Sequence, residues 1–110
     1  MRRLTFGGPM AARAVAVVRD DARFADVLVE ERKTGLILYE LVQPFGRPAW
    51  EGYYAPWARI VPLDPSHSTY QLEYMRHTHK WAALPIEGTL EECILAIGTD
   101  SFGLFFGGRG

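Results

Sequence analysis

The sequence predicts an α+β fold: an antiparallel β-meander of four to six strands with a C-terminal helix and an N-terminal helix packed on one face. Three observations carry that reading. Tyr70, Leu72 and Tyr74 alternate with Gln71, Glu73 and Met75, the period of a strand that buries one face. Thr89 and Glu92 form a capping-box spacing at the head of an apolar stripe made by Leu90, Cys93, Ile94 and Ile97. The apolar runs between residues 24 and 84 are joined by turn formers, and short joints dictate antiparallel neighbours because parallel pairs need long crossovers.

Taken in order, residues 1–9 read as a flexible tail ending at Gly7-Gly8-Pro9. Pro9 suits the first turn of a helix, where its missing N–H costs nothing. Met10, Ala14, Val17 and Val18 then share one helical face within 10–21. Val15 and Val17 also alternate, so a short strand is the alternative there. Val27 and Val29 share a strand face, as do Ile37, Tyr39 and Leu41 in the following run. Between them, Arg32-Lys33-Thr34-Gly35 is a hairpin signal with a glycine able to take positive φ. A helix over 21–33 capped by Gly35 competes with it, but the β-branched content and the short joint favour the hairpin.

Residues 44–56 hold three prolines and two glycines among Phe45, Trp50, Tyr53 and Tyr54. Proline lacks a ladder donor, so this segment is excluded from an inner strand and is expected to fold its aromatics back over the sheet. Residues 57–63 read as a strand interrupted at Pro62, and Asp64-Pro65-Ser66-His67-Ser68 as a turn. After the alternating strand, 76–80 make a hairpin tip and 81–84 return, closed by Pro85. Gly98 is expected to end the last helix in the left-handed region. Residues 100–106 are expected to turn and pack or pair with the sheet, and 107–110 to form a second flexible tail.

Composition narrows the function classes. A chain of 110 residues, 48% hydrophobic, suits a single domain over 1–110. The formal charge of −1 gives no argument for nucleic acid or an anionic membrane as the main partner. Cys93 is the sole cysteine, so no internal disulfide is required. Gly7, Gly8, Pro9 and Arg13 break any secretory apolar core near the start, and no run approaches the ~20 apolar residues of a membrane span. A cytoplasmic location without membrane association is expected.

The order of motifs resembles a family of small bacterial proteins known as a domain of unknown function. The matching positions are Trp50, Trp57-Ala58-Arg59, residues 72–76 (Leu-Glu-Tyr-Met-Arg), Lys80-Trp81, Thr89-Leu90-Glu91-Glu92, and 100–107, which resembles an Asp-x-x-Gly-x-Phe-Trp-Gly ending. Phe106 stands where that ending has tryptophan. The resemblance implies a bacterial, cytoplasmic protein and carries no activity, so no catalytic residue follows from it.

Individual candidates for chemistry fall short. His77 and His79 on the hairpin tip are too few ligands for zinc, and His67 lies in another turn. Cys93 sits on an apolar stripe, where a packed thiol is the ordinary outcome and a nucleophile would need exposure and a base. Glu30-Glu31 and Glu91-Glu92 are adjacent acids whose side chains diverge. No metal, cofactor or catalytic residue is predicted. What remains is an aromatic–basic sheet face: Trp57, Arg59, Tyr74, Arg76, Lys80 and Trp81, with Tyr70 on the same strands. Interleaved aromatics and cations suit a protein or self-association interface, and this non-catalytic module is the first reading. RNA or single-stranded DNA stacking on the same face is the alternative. A small enzyme with a site under the 44–56 loop is the third.

Overall fold

The computed structural model describes residues 4–6 and 8–106. In chain order it contains β1 (Leu4–Phe6), α1 (Pro9–Val17), a 3-10 turn (Ala22–Phe24), β2 (Leu28–Arg32) and β3 (Gly35–Val42). A second 3-10 turn (Ala49–Glu51), β4 (Tyr53–Pro62), β5 (Tyr70–Met75), β6 (Trp81–Gly88) and α2 (Leu90–Thr99) complete it. The sheet runs β1-β2-β3-β4-β5-β6 in spatial order. Strands β2 to β6 form the expected antiparallel meander, with both helices on one face. The stretch read as an N-terminal tail contributes β1, parallel to β2 with Leu4 opposite Leu28, and α1 is the crossover between them. Residues 107–110 lie outside the described residues.

Residues 10–21 resolve in favour of helix, which ends at Val17 with Ala11, Ala14 and Val18 buried. Gly8 at its start has no side chain to cap the free N–H groups. Glu31 of β2 supplies the carboxylate instead, accepting from the Ala11 N–H at 3.0 Å. A Cβ on Gly8 would stand 2.3 Å from that carboxylate oxygen, and Gly8 has φ +106, so the position demands glycine. Phe24, wholly buried, sits in the 3-10 turn rather than in a strand.

The β2–β3 hairpin forms as read, with Arg32 opposite Gly35. Gly35 takes φ +123, and a Cβ there would meet the Ile60 carbonyl oxygen at 2.0 Å. Register places Val29, Leu38, Ala58 and Tyr74 in one cross-strand row and Leu36, Ile60 and Leu72 in the next. These rows face the helices. Leu90, Cys93, Ile94 and Ile97 of α2 close over them with no solvent exposure. Burying each large apolar side chain contributes roughly 1.5–3 kcal/mol, so the stripe outweighs the single capping interaction in fixing α2. The capping box is present: Glu92 N–H donates to Thr89 Oγ1 at 3.1 Å and Thr89 N–H to Glu92 Oε1 at 2.8 Å. Arg13 and Glu91 join α1 to α2 through two 2.9 Å bonds.

Four expectations need correction. The left-handed residue after α2 is Asp100 (φ 53), not Gly98, which lies inside the helix against Phe24 and Arg23. Strand β4 begins at Tyr53, not Trp57; Pro56 is tolerated because β5 pairs β4 only from Ala58, leaving that edge without a ladder. Strand β6 passes through Pro85 to Gly88, since it is the outer strand and needs no donor on its far side. Its pairing with β5 shifts register between Gln71 and Glu73. Finally, Val27, read as sharing a strand with Val29, lies just before β2, while Ile37 and Tyr39 share a face as read, the partly exposed one opposite the buried Leu36 and Leu38.

Candidate functional site

Among the described residues, no helix lies on the second face of the sheet. Alternation from the buried rows assigns to it Ile37, Arg59, Glu73 and Ala83 in one cross-strand row, with Tyr39 and Pro56, Val61 and Gln71, and Met75 and Trp81 beside them. At its centre Arg59 Nε donates to Glu73 Oε1 at 2.6 Å, and the guanidinium lies 4.8 Å from the Trp81 ring centroid. The guanidinium is thus held by a carboxylate on one side and an aromatic face on the other. Its charge is locally neutralised, and the Arg59 side chain is 29% exposed.

A second polar knot lies on the same face. Tyr39 donates its hydroxyl to Glu30 Oε1 at 2.6 Å, and Arg32 Nε reaches the same oxygen at 2.8 Å. These hydrogen bonds, Tyr39's first, hold the Glu30 carboxyl below its usual range. Burial, and then the bond to Glu30, push the Tyr39 phenol up. Glu30 and Glu73 therefore already have partners, and the rest of the face is aliphatic or aromatic apart from Gln71, which donates to the Leu84 and Ile86 carbonyls, and the exposed Glu87 opposite it.

The six residues singled out from sequence do not form one surface. Arg59 and Trp81 come together on the open face. Trp57 turns to the covered face and is 6% exposed, stacked edge-on against Phe24, Phe105 and Phe106 at 5.0 to 6.3 Å. The cause is a register shift between Leu38 and Tyr39: Leu38 pairs with Ala58 and Tyr39 with Pro56, so Trp57 is an extra residue in β4. Such a bulge lets both Trp57 and Ala58 point into the core. Tyr74 also lies on the covered side, half-buried against the core. Arg76 and Lys80 are exposed at the β5–β6 tip, closed by Arg76 N–H donating to the Lys80 carbonyl at 2.9 Å. Tyr70 is a core residue, 2% exposed.

His77 and His79 are exposed on that tip and His67 in the β4–β5 turn, where Asp64 organises the loop. The Asp64 carboxylate accepts from Ser66, Thr69 and Ser68, which hold it well below the usual carboxylate range. Among the described residues, no three His, Cys, Asp or Glu side chains are grouped to hold a metal ion. Cys93 is wholly buried, and burial pushes its thiol up to about 11.

The 44–56 segment departs most from expectation. Phe45 is 103% exposed and Trp50 81%, so the loop does not fold back over the sheet. Instead β3 and β4 run on as a two-stranded arm: β2 pairs β3 no further than Tyr39, while Glu40–Ala55, Leu41–Tyr54 and Val42–Tyr53 pair only with each other. Arg47 and Glu51 pair at its tip, with Nε–Oε2 2.6 Å and Nη2–Oε1 3.0 Å. The arm continues the open face through Leu41 and Tyr54, and it went unread because prolines argue against a strand unless the strand's neighbours are known to stop short. A concavity of about 200 Å³ at the arm's base is lined by Asp26, Glu40, Trp57 and Phe106 among others. Trp57 Nε1, buried beside it, has no hydrogen-bond partner among the described residues. A second concavity lies between α1 and α2, so neither sits beneath the 44–56 loop.

No described helix is long and apolar enough to cross a membrane. No curated protein and no solved structure matches the chain. A family model does match, over residues 10–107, which takes in β2 to β6, α2 and all of α1 but its first residue, and leaves out β1. The chain belongs to the family described as a domain of unknown function, DUF3024.

Proposed function

We propose that the protein is a non-catalytic interaction module whose open sheet face, centred on Arg59 and Trp81, binds a protein partner. The observation that supports this most is the pairing of charges on a face no helix covers. Arg59 is neutralised by Glu73 and Glu30 by Arg32, so around these two pairs the face offers a largely aliphatic and aromatic surface. Interfaces place such residues at their centre and use arginine and tryptophan as anchors. Arg76 and Lys80 then belong to the rim.

Single-stranded nucleic acid is the second reading, because Trp81 lies at the base of a hairpin tip carrying Arg76 and Lys80. Base stacking on Trp81 flanked by those cations would give affinity that falls steeply with salt. The neutralised Arg59 and the overall charge of −1 favour the protein reading.

Photo-crosslinking from a benzophenone residue at Met75, in cells producing the protein, separates the two. The expected result is one discrete polypeptide adduct, resistant to nuclease and lost in Trp81→Ala. An adduct destroyed by nuclease transfers the face to nucleic acid, and no adduct from Met75 removes the reading.

A further inference from the structure

We propose that the concavity at the base of the β3–β4 arm is a binding site for a small zwitterion, a free α-amino acid with an apolar side chain. The site lies on the covered side of the sheet and does not rest on the Arg59–Trp81 reading.

Separate elements bring its walls together. The bulge in β4 turns Trp57 inward, and Phe106, from the segment after α2, stands edge-on to it with ring centroids 5.0 Å apart. Glu40 follows Leu36 and Leu38 in alternation along β3, so it leaves the strand on the same side, just where β3 runs on past the end of its pairing with β2. The 3-10 turn and the residues after it supply Arg23, Asp26 and Val27. These side chains line a space of about 200 Å³. That is below the roughly 300–1,000 Å³ of pockets for drug-sized molecules, which restricts the occupant to a small one.

The polar groups around this space fall into two sets of opposite kind. On the donor side, Trp57 Nε1 is buried beside it and has no hydrogen-bond partner among the described residues. A buried donor without an acceptor is destabilising, a deficit that an acceptor brought to this wall removes. Arg23 donates Nε and Nη2 to Asp21 at 3.1 and 2.7 Å, and its Nη1 has no partner among the described residues. The guanidinium is fixed 4.5 Å over the Phe106 ring, so this donor is already in place. On the acceptor side stand the carboxylates of Asp26, which is exposed, and Glu40, which is half-buried. An anion alone would meet these two acids as like charges. An ammonium alone would face Arg23 and leave the Trp57 N–H unmatched. A molecule carrying both groups a few bonds apart suits both sets, its carboxylate toward Trp57 and Arg23 and its ammonium toward Asp26 and Glu40. Val27 and the two rings then offer apolar contact to its side chain.

Trp50, Trp57 and Trp81 are the three tryptophans of the chain, so nitrogen–proton correlation spectra of the full chain read the site through one indole N–H with two internal controls. The compounds are L-leucine and L-phenylalanine, each titrated to about 10 mM so that a millimolar Kd registers. Beside them run 4-methylpentanoate and 3-phenylpropanoate, which lack the ammonium, and 3-methylbutylamine and 2-phenylethylamine, which lack the carboxylate. The expected result is that at least one amino acid moves the Trp57 N–H downfield and leaves Trp50 and Trp81 in place. It should bind at least ~10-fold more tightly than either of its half-molecules, the scale of one charged hydrogen bond. Asp26→Asn/Glu40→Gln should reduce its affinity to that of the carboxylate analogue, and Arg23→Gln, made separately, to that of the amine. The remainder of each variant's spectrum verifies its fold. A Trp57 N–H that none of the compounds moves overturns the proposal and leaves the space to water. A half-molecule that binds as tightly as its amino acid, or folded variants that keep full affinity, overturns it equally.

Discussion

Trp57 and Trp81 sit on β4 and β6, either side of β5 in one sheet, read alike in sequence, and end on opposite faces. Trp57 is 6% exposed among Phe24, Phe105 and Phe106. Trp81 lies half-buried over Arg59 on the side without helices. The difference originates in one extra residue: the bulge in β4 turns Trp57 inward beside Ala58, whereas Trp81 follows plain alternation opposite Met75. One tryptophan therefore holds the fold together and the other is available to a partner.

The largest test of that contrast is stability. Trp57→Ala is expected to cost about 3–5 kcal/mol in urea unfolding, because it empties the centre of an aromatic cluster. Trp81→Ala should cost about 1 kcal/mol, the scale of a half-exposed cation–π contact. Equal losses would mean the two faces are not distinct.

Cys93 extends the comparison to pH. Its thiol is pushed up to about 11 in the fold, from an ordinary value near 9.0. A proton held more tightly in the folded state stabilises it below the unfolded value, and that contribution disappears as pH rises through the folded one. Stability should therefore decline between about pH 9 and 11, by up to about 2–3 kcal/mol, and Cys93→Ala should flatten the decline. At about pH 8 the thiol should react with dithionitrobenzoate only on unfolding. Rapid labelling of native protein would show that the covered face opens.

The smallest effect is on the open face. A double-mutant cycle on Arg59 and Glu73 is expected to give about 0.5–1 kcal/mol of coupling, reduced by salt, as for partly exposed ion pairs. A coupling of several kcal/mol would place this pair in a drier setting than an uncovered face provides.

The parts of the fold legible in the sequence were those whose signal is local. The period of two in Tyr70 to Met75, the Thr89–Glu92 box and the turn before Gly35 each depend on a few neighbouring residues, and each appears as read. What was missed depends on where other strands stop. Pro56 and Pro85 look like terminators until β5 is seen to begin pairing at Ala58 and β6 to be outermost. Likewise, a bulge leaves no mark in composition, so Trp57 was grouped with Arg59. Tyr74 falls on the covered side by its register opposite Ala58, and Arg76 and Lys80 on the tip, so only Arg59 and Trp81 of the six meet on the open face. The exposed aromatics of the arm carried a signal, four rings in a proline-rich segment, but sequence alone does not say whether such rings cover a core or leave it.

Pro85 bears on how the molecule behaves when crowded. An outermost strand with regular amides is an invitation to any extended chain, and fibres grow by accepting it. Here the imino ring deletes a donor midway along β6, and the slipped pairing near Glu73 bends the rim, so an incoming chain cannot zip along it. Replacing Pro85 with valine would restore a continuous template and turn a soluble margin into a seed.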